Sequence, residues 1–241
     1  MNLARILLVI FLAAFTGCST KPAPHTITPP PASAPATTTA AAAEPFAKEI
    51  AAFEAIDRSP AAPAKNGIVF YGSSSFRLWK SLSTDFAGMP IVNRGFGGSR
   101  MDQCVMYLDR AVVPLKPRAI VVYAGDNDLA AGHSVERFLS DTRVFIDMVK
   151  AKLPEARVYF VSIKPSPSRV KLLDKVKDAN AQVKALAAEK DFEFVDVATP
   201  MLGEDGQPRA ALFGPDMLHM NAKGYELWTG ILKPYLAGVT R

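Results

Sequence analysis

Residues 68–79 read IVFYGSSSFRLW. Apolar residues of strand type run into a glycine and three serines, and a second apolar cluster follows, the texture of a buried strand ending in a turn of small residues. Comparable runs recur as PIVNRGF (90–96), RAIVVYAG (118–125), ARVYFVSI (156–163) and FEFVDVA (192–198). Between them lie stretches of helical periodicity, SRMDQCVMYLDRAVVPL (99–115), SVERFLSDTRVFIDMVKAKL (134–153) and VKLLDKVKDANAQVKALAAEK (170–190). In the last of these, Leu172, Leu173, Val176, Val183 and Leu186 make one apolar stripe. A closing helix is expected in NAKGYELWTGILKPYLAG (221–238). Strands apolar throughout that alternate with helices predict a parallel sheet covered on both faces, the doubly wound α/β class. In such sheets ligands bind at the carboxyl ends of the strands.

Ahead of the first strand, EPFAKEIAAFEAIDRSP (44–60) carries Phe46, Ile50, Phe53 and Ile56 at helical spacing, and Pro60 stops it. The preceding residues have another texture. Residues 19–44 are rich in Pro, Ala and Thr with no apolar periodicity, so they cannot bury enough surface to offset the entropy of ordering, and they read as a tether. Its reach is on the order of 30 to 80 Å, depending on its polyproline content. His25 belongs to this tether and is discounted as catalytic.

The chain opens MNLARILLVIFLAAFTGC: one Arg, an apolar stretch from Ile6 to Phe15 too short to span a bilayer, and a small-residue step before Cys18. This reads as a secretory signal over residues 1–17. FTGC resembles the lipobox of bacterial lipoproteins, with Phe15 where that motif usually carries Leu. The resemblance implies lipidation of Cys18, a mature chain that starts there, and a membrane-anchored location in the bacterial cell envelope that faces the periplasm. Several acyl chains anchor firmly where one is marginal, each buried methylene adding about 0.8 kcal/mol. Only Cys104 remains besides Cys18, so no internal disulfide is expected and Cys104 reads as a small buried apolar residue. The formal charge of +5 is scattered over the chain without a basic block, which argues against nucleic acid as a partner.

Small and polar residues collect at the ends of the expected strands: Gly72-Ser73-Ser74-Ser75, Asn93-Arg94-Gly95-Phe96-Gly97-Gly98 and Gly125-Asp126-Asn127-Asp128. Near the C-terminus FGPDMLHMNAKGYELW sets Asp216 three residues before His219. A serine hydrolase needs a nucleophile, an imidazole base, a group that orients the imidazole, and donors for the oxyanion. Ser74 would attack, His219 would act as base and then acid, and Asp216 would hold its tautomer. The Gly95 N–H, the Asn127 amide and the Ser74 N–H would serve the oxyanion. Ser75 competes with Ser74 for the nucleophile, and Ser74 has the Gly-x-Ser register a nucleophile turn requires.

These segments resemble, in order and in their place at strand ends and in the final loop, the motifs of the SGNH (GDSL-type) hydrolases over about residues 65–238: a serine after the first strand, Asn-x-Gly-x-x-Gly, Gly-x-Asn and Asp-x-x-His. The resemblance implies a three-layer α/β/α flavodoxin-like domain with a five-stranded parallel sheet, spanning residues 45–241, and a serine esterase that uses no cofactor. Its substrates would be small-molecule, lipid or acylated glycan esters. One departure stands at Ser73, where the family usually has Asp; that Asp is outside the catalytic set, so its loss bears on the local turn. A second hypothesis on the same fold is an inactive envelope lipoprotein that binds glycan or lipid.

Other motifs fit less well. An α/β-hydrolase elbow needs glycine where Phe76 stands, and no phosphate loop ends in Gly-Lys-Ser/Thr. Asp126 and Asp128 could join Asp216 and His219 as ligands of a metal phosphoesterase, but one histidine is few, and Asp128 suits a cap for the following helix. No metal is therefore expected. His133 is assigned to a loop before a helix capped by Ser134. Trp79 and Trp228 are expected in the core, and Arg169 either faces the cleft or is an ordinary solvated arginine.

Overall fold

The structure is a computed structural model, and it describes residues 44–239. The expected signal peptide, Cys18 and the tether apart from Glu44 lie outside the described residues. Five strands form one sheet: β1 (Ile68–Gly72), β2 (Ile91–Gly95), β3 (Ala119–Tyr123), β4 (Arg157–Val161) and β5 (Glu193–Val195). Their order is β2-β1-β3-β4-β5 and all four pairings are parallel. This is the flavodoxin-like doubly wound arrangement, whose strand order reverses beside β1 and β3.

The helices are α1 (Ala47–Asp57), α2 (Ser74–Arg77), α3 (Leu82–Asp85), α4 (Met101–Ala111), α5 (Asp126–Ala130), α6 (Val135–Lys152), α7 (Leu173–Lys190) and α8 (Ala222–Leu236). Alternate strand residues serve opposite layers, as the two-residue side-chain period demands. Val69, Tyr71, Ile120 and Val122 pack with Ile50 of α1, Leu108 of α4, Phe145 of α6 and Val183 of α7. Ile68, Phe70, Val121 and Tyr123 pack on the other side with Phe76, Leu82, and Trp228 and Leu232 of α8. Two covered faces explain why β1 and β3 are apolar throughout and buried at every residue.

Register brings the strand ends level. Gly72 pairs with both Gly95 and Tyr123, so the turns after β1, β2 and β3 emerge side by side at one edge. All five expected strands are present, the last shorter than its apolar run. The Asp196 carboxylate accepts the N–H groups of Ala198 and Thr199 and turns the chain out of the ladder. Two expected stripes are also trimmed. Ile56 is exposed, and Leu172 closes a 3₁₀ segment (Pro167–Leu172) ahead of α7. Phe46 sits in the left-handed region just before α1, with its ring edge-on to Phe96 at 5.4 Å. Trp79, Trp228 and Cys104 are buried core residues.

Candidate active site

The turn after β1 makes one sharp choice among its serines. Ser73 is buried; its N–H donates to Tyr123 O, and its carbonyl accepts the N–H groups of Phe76 and Arg77, so its backbone starts α2. Ser75 is buried as well, and its carbonyl accepts the Tyr225 hydroxyl of α8 at 3.0 Å. Ser74 alone faces the cleft, with Oγ 3.0 Å from His219 Nε2.

His219 and Asp216 lie on the loop before α8. His219 Nδ1 is 2.6 Å from Asp216 Oδ2, while Asp216 Oδ1 accepts the N–H groups of Leu218 (3.0 Å) and His219 (2.9 Å). The Leu218 N–H, the His219 ring and the His219 N–H hold the Asp216 carboxyl well below the usual carboxylate range. An ionised Asp216 fixes the proton of neutral His219 on Nδ1 and leaves Nε2 to accept from Ser74. Asn221 braces the loop: its amide donates to Ala211 O and Phe213 O, and its oxygen accepts the Gly224 N–H as the cap of α8. Sequence reading passed over Asn221, although an Asn ahead of a helical run is a cap signal.

The turn after β2 corrects one expectation. The Gly95 N–H donates to Asn93 Oδ1 at 2.8 Å, and Asn93 Nδ2 donates to Phe76 O. Gly95 is buried against the backbone of α2, where an added Cβ would fall 2.2 Å from Arg77 N. Its N–H is thus spent on the loop, and Gly95 is the residue that lets β2 and α2 approach. Three residues on, Gly98 is exposed, and a Cβ there would lie 3.7 Å from Asn127 Nδ2. Both glycines satisfy the same motif, and spacing does not say which N–H faces the cleft.

The turn after β3 holds the β2 loop in place. Asn127 Nδ2 donates to Ser99 O at 3.2 Å, and Asp128 Oδ1 accepts the Met101 N–H at the start of α4. Asp128 therefore caps α4, not the helix that follows it; Ser134 caps α6 by accepting the Arg137 N–H. Burial pushes the Asp128 carboxyl up to about 7. Asp126 turns the other way, into the interior, where Lys164 Nζ lies 2.6 Å and Arg169 3.3 Å from its Oδ2. Burial opposes its charge, but the two cations outweigh that and keep its carboxyl below the ordinary range. The acids imagined as one metal set thus face different partners. Among the described residues no three His, Cys, Asp or Glu side chains converge on one point. Arg169 is no solvated surface residue, since its guanidinium also donates to Asn127 Oδ1 at 3.0 Å. The His133 N–H bonds Asp128 O in the loop before α6, away from the dyad contacts.

A nucleophile, base and orienting carboxylate in line, beside two strand-end loops, is the constellation of a hydrolase. The description GDSL-like Lipase/Acylhydrolase family matches residues 66–227. The chain belongs to that family. This GDSL-family hydrolase is 26% identical over 168 residues to platelet-activating factor acetylhydrolase IB subunit alpha1 of Homo sapiens, covering 66% of this chain and 70% of that one. It is 24% identical over 198 residues to a GDSL esterase/lipase of Oryza sativa, covering 69% and 75%. Among solved structures, a GDSL-like lipase from Bacteroides thetaiotaomicron superposes with a TM-score of 0.66 at 23% identity, over 78% of this chain and 98% of that one. The match to structures carries the fold.

Proposed function

We propose that this GDSL-family hydrolase is a serine esterase that cleaves carboxylic esters through an acyl-Ser74 intermediate. The observation that carries the reading is the unbroken relay Ser74 Oγ, His219, Asp216, at 3.0 and 2.6 Å. His219 Nε2 takes the Ser74 proton as Oγ adds to the ester carbonyl. The same nitrogen then protonates the departing alcohol oxygen, leaving the acyl group on Oγ. Water, deprotonated by His219, attacks the acyl carbon; the acid departs and Ser74 regains its proton. Asp216 keeps its negative charge throughout and steadies the imidazolium. The oxyanion would be met by the Ser74 N–H and the Asn127 amide, together with the Gly98 N–H in place of Gly95. Neither the Ser74 N–H nor the Gly98 N–H has a hydrogen-bond partner among the described residues.

The His219 side chain is 31% exposed, so the dyad can be reached from solvent and the ester can belong to a large molecule such as a lipid or an acylated glycan. A relative named as an acetylhydrolase makes acetyl esters the first class to test. We further infer a periplasm-facing envelope lipoprotein held by lipidated Cys18, with residues 18–44 as spacer.

A fluorophosphonate probe and p-nitrophenyl acetate test the reading. Wild type should label and turn over, while Ser74→Ala should do neither, with an unchanged circular dichroism spectrum. Equal labelling of both would overturn Ser74 as the nucleophile, and labelling of neither would leave a binding protein on this fold. For the anchor, Cys18→Ser should move the protein from the membrane to the soluble fraction; an unchanged distribution overturns it.

A further inference from the structure

The segment after β4, KPSPSR (164–169), sends two cations toward the turn after β3, and the esterase mechanism uses neither. Lys164 is fully buried, its ammonium 2.6 Å from Asp126 Oδ2 and 3.3 Å from the Tyr123 hydroxyl. Arg169 spreads its fork over two neighbours, one nitrogen 3.3 Å from Asp126 Oδ2 and the other donating to Asn127 Oδ1 at 3.0 Å. The Arg169 side chain is 22% exposed, so it closes the wall of the cleft with little contact to water. Its backbone is held from both sides: the Arg169 N–H donates to Ser166 O, and the Ser168 N–H donates to Met217 O on the dyad loop.

A primary amide is a poor oxyanion donor unless something decides which end faces the substrate. Turned over, Asn127 would aim a carbonyl oxygen at developing negative charge. A cation on Oδ1 forbids that, because a guanidinium donates and never accepts. With Oδ1 so held, one Nδ2 hydrogen goes to Ser99 O and the other is left for the cleft. Lys164 contributes indirectly: by neutralising Asp126 it leaves the Arg169 charge unspent, so the asparagine sits against a net positive cluster.

We propose that Arg169 is a positioning residue of the oxyanion site, its guanidinium bridging Asp126 and Asn127 so that the remaining Asn127 amide hydrogen faces Ser74. The proposal rests on the esterase reading for its catalytic consequence and on the contacts above for its structural one, and the experiment separates the two.

Four full-length proteins are compared with wild type on p-nitrophenyl acetate: Arg169→Ala, Arg169→Lys, Asn127→Ala and the double variant Arg169→Ala/Asn127→Ala. Asn127→Ala removes a donor and should lower kcat roughly 100-fold or more. Arg169→Ala should lower kcat roughly 10- to 100-fold with KM changed less than about twofold, and added guanidinium ion should restore part of it, as expected for a group acting only in the transition state. Arg169→Lys should recover less than the bridging geometry requires, because an ammonium has no planar fork. In the Asn127→Ala background the loss of Arg169 should cost less than about twofold, since its route of action is already gone. A cost of equal size in both backgrounds, or an effect confined to KM, overturns the proposal and makes Arg169 a substrate contact. The side-chain amide signals of Asn127, followed by ¹⁵N NMR in wild type and Arg169→Ala, supply a readout independent of turnover. Unchanged signals overturn the positioning role. Shifted signals in a protein without esterase activity uphold the role and overturn only the esterase reading. Asp126 keeps Lys164 as partner in Arg169→Ala, so the variant retains a compensated interior.

Discussion

Three adjacent serines have three different fates, and each is testable. Among the described residues the Ser73 hydroxyl is buried without a hydrogen-bond partner, so it contributes little that a methyl group would not. Ser73→Ala should leave stability within about 1 kcal/mol of wild type by urea denaturation and kcat within about twofold. Asp216→Asn keeps an oxygen for the two backbone N–H groups but loses the charge that holds the His219 tautomer. Its kcat should fall roughly 10²- to 10⁴-fold in a steady-state assay, with little change in melting temperature. Gly95 and Gly98 separate in the same way. Gly95→Ala drives a methyl group into the backbone of α2 and should melt far below wild type, whereas Gly98→Ala, with 3.7 Å to its nearest neighbour, should fold normally. The grouping of Ser74 with Asp216 and His219 was readable because each occupies a short motif at a strand end or in the last loop. The sequence named Gly95 alone, and the Gly95 N–H turns to Asn93 instead, because a motif records spacing and not the direction of an N–H. Arg169 was underrated for a related reason: its partner Asn127 lies 42 residues away along the chain, with Asp126 beside it, and nothing in KPSPSR announces them.

At the scale of elements, periodicity identified the five strands and the long helices, and side chains that reach across the fold set what it missed. FEFVDVA is apolar enough for a longer strand, but Ser162 Oγ accepts the N–H groups of Val197 and Ala198, and Asp196 those of Ala198 and Thr199, which ends β5. Asp128 was expected to cap the helix after it and instead caps α4, 27 residues back, because the register sets the β3 turn beside the β2 loop. That placement has a pH consequence. Asp128 titrates near 3.9 when unfolded, and burial, opposed by the Met101 N–H and aided by the charges of Asp102 and Asp126, raises it to about 7 in the fold. The native state therefore binds the extra proton between these values, and this group's contribution to stability falls as pH rises from about 4 to about 7, by on the order of 4 kcal/mol in full. Asp216 has the opposite sign: its contribution is present above the unfolded pKa and fades as pH falls. Urea denaturation of wild type and Asp128→Asn across pH 4 to 8 isolates the first effect. The difference between the two proteins should move in favour of Asp128→Asn as pH rises through this window; parallel curves would show that Asp128 keeps its charge when buried.

In the whole molecule, support for the β2 loop extends beyond the segment that the family match covers. That match begins at residue 66, yet α1, which ends at Asp57, reaches the loop that bears Gly98. Glu49 Oε1 accepts the Gly97 N–H at 2.9 Å, the Phe46 ring packs edge-on against Phe96, and Asp57 pairs with Arg94, a buried arginine on β2. All three contacts converge on residues 94–97, so α1 acts as a brace beneath the β2 loop while Asn127 and Asp128 hold it from the β3 side. A helix that only covered the sheet could be weakened at a cost in stability alone. A brace should cost activity out of proportion to stability, since a small displacement of an oxyanion donor is amplified in rate. Glu49→Ala removes one charged hydrogen bond at a partly exposed site. It should cost about 1 kcal/mol, or a fall of about 2–4 °C in melting temperature. The same substitution should lower kcat on p-nitrophenyl acetate by roughly tenfold, while Lys48→Ala, on the exposed side of the same helix, should change neither quantity. Equal kcat for Glu49→Ala and wild type would reduce α1 to a cover on the sheet, with the β2 loop held by the β3 turn alone.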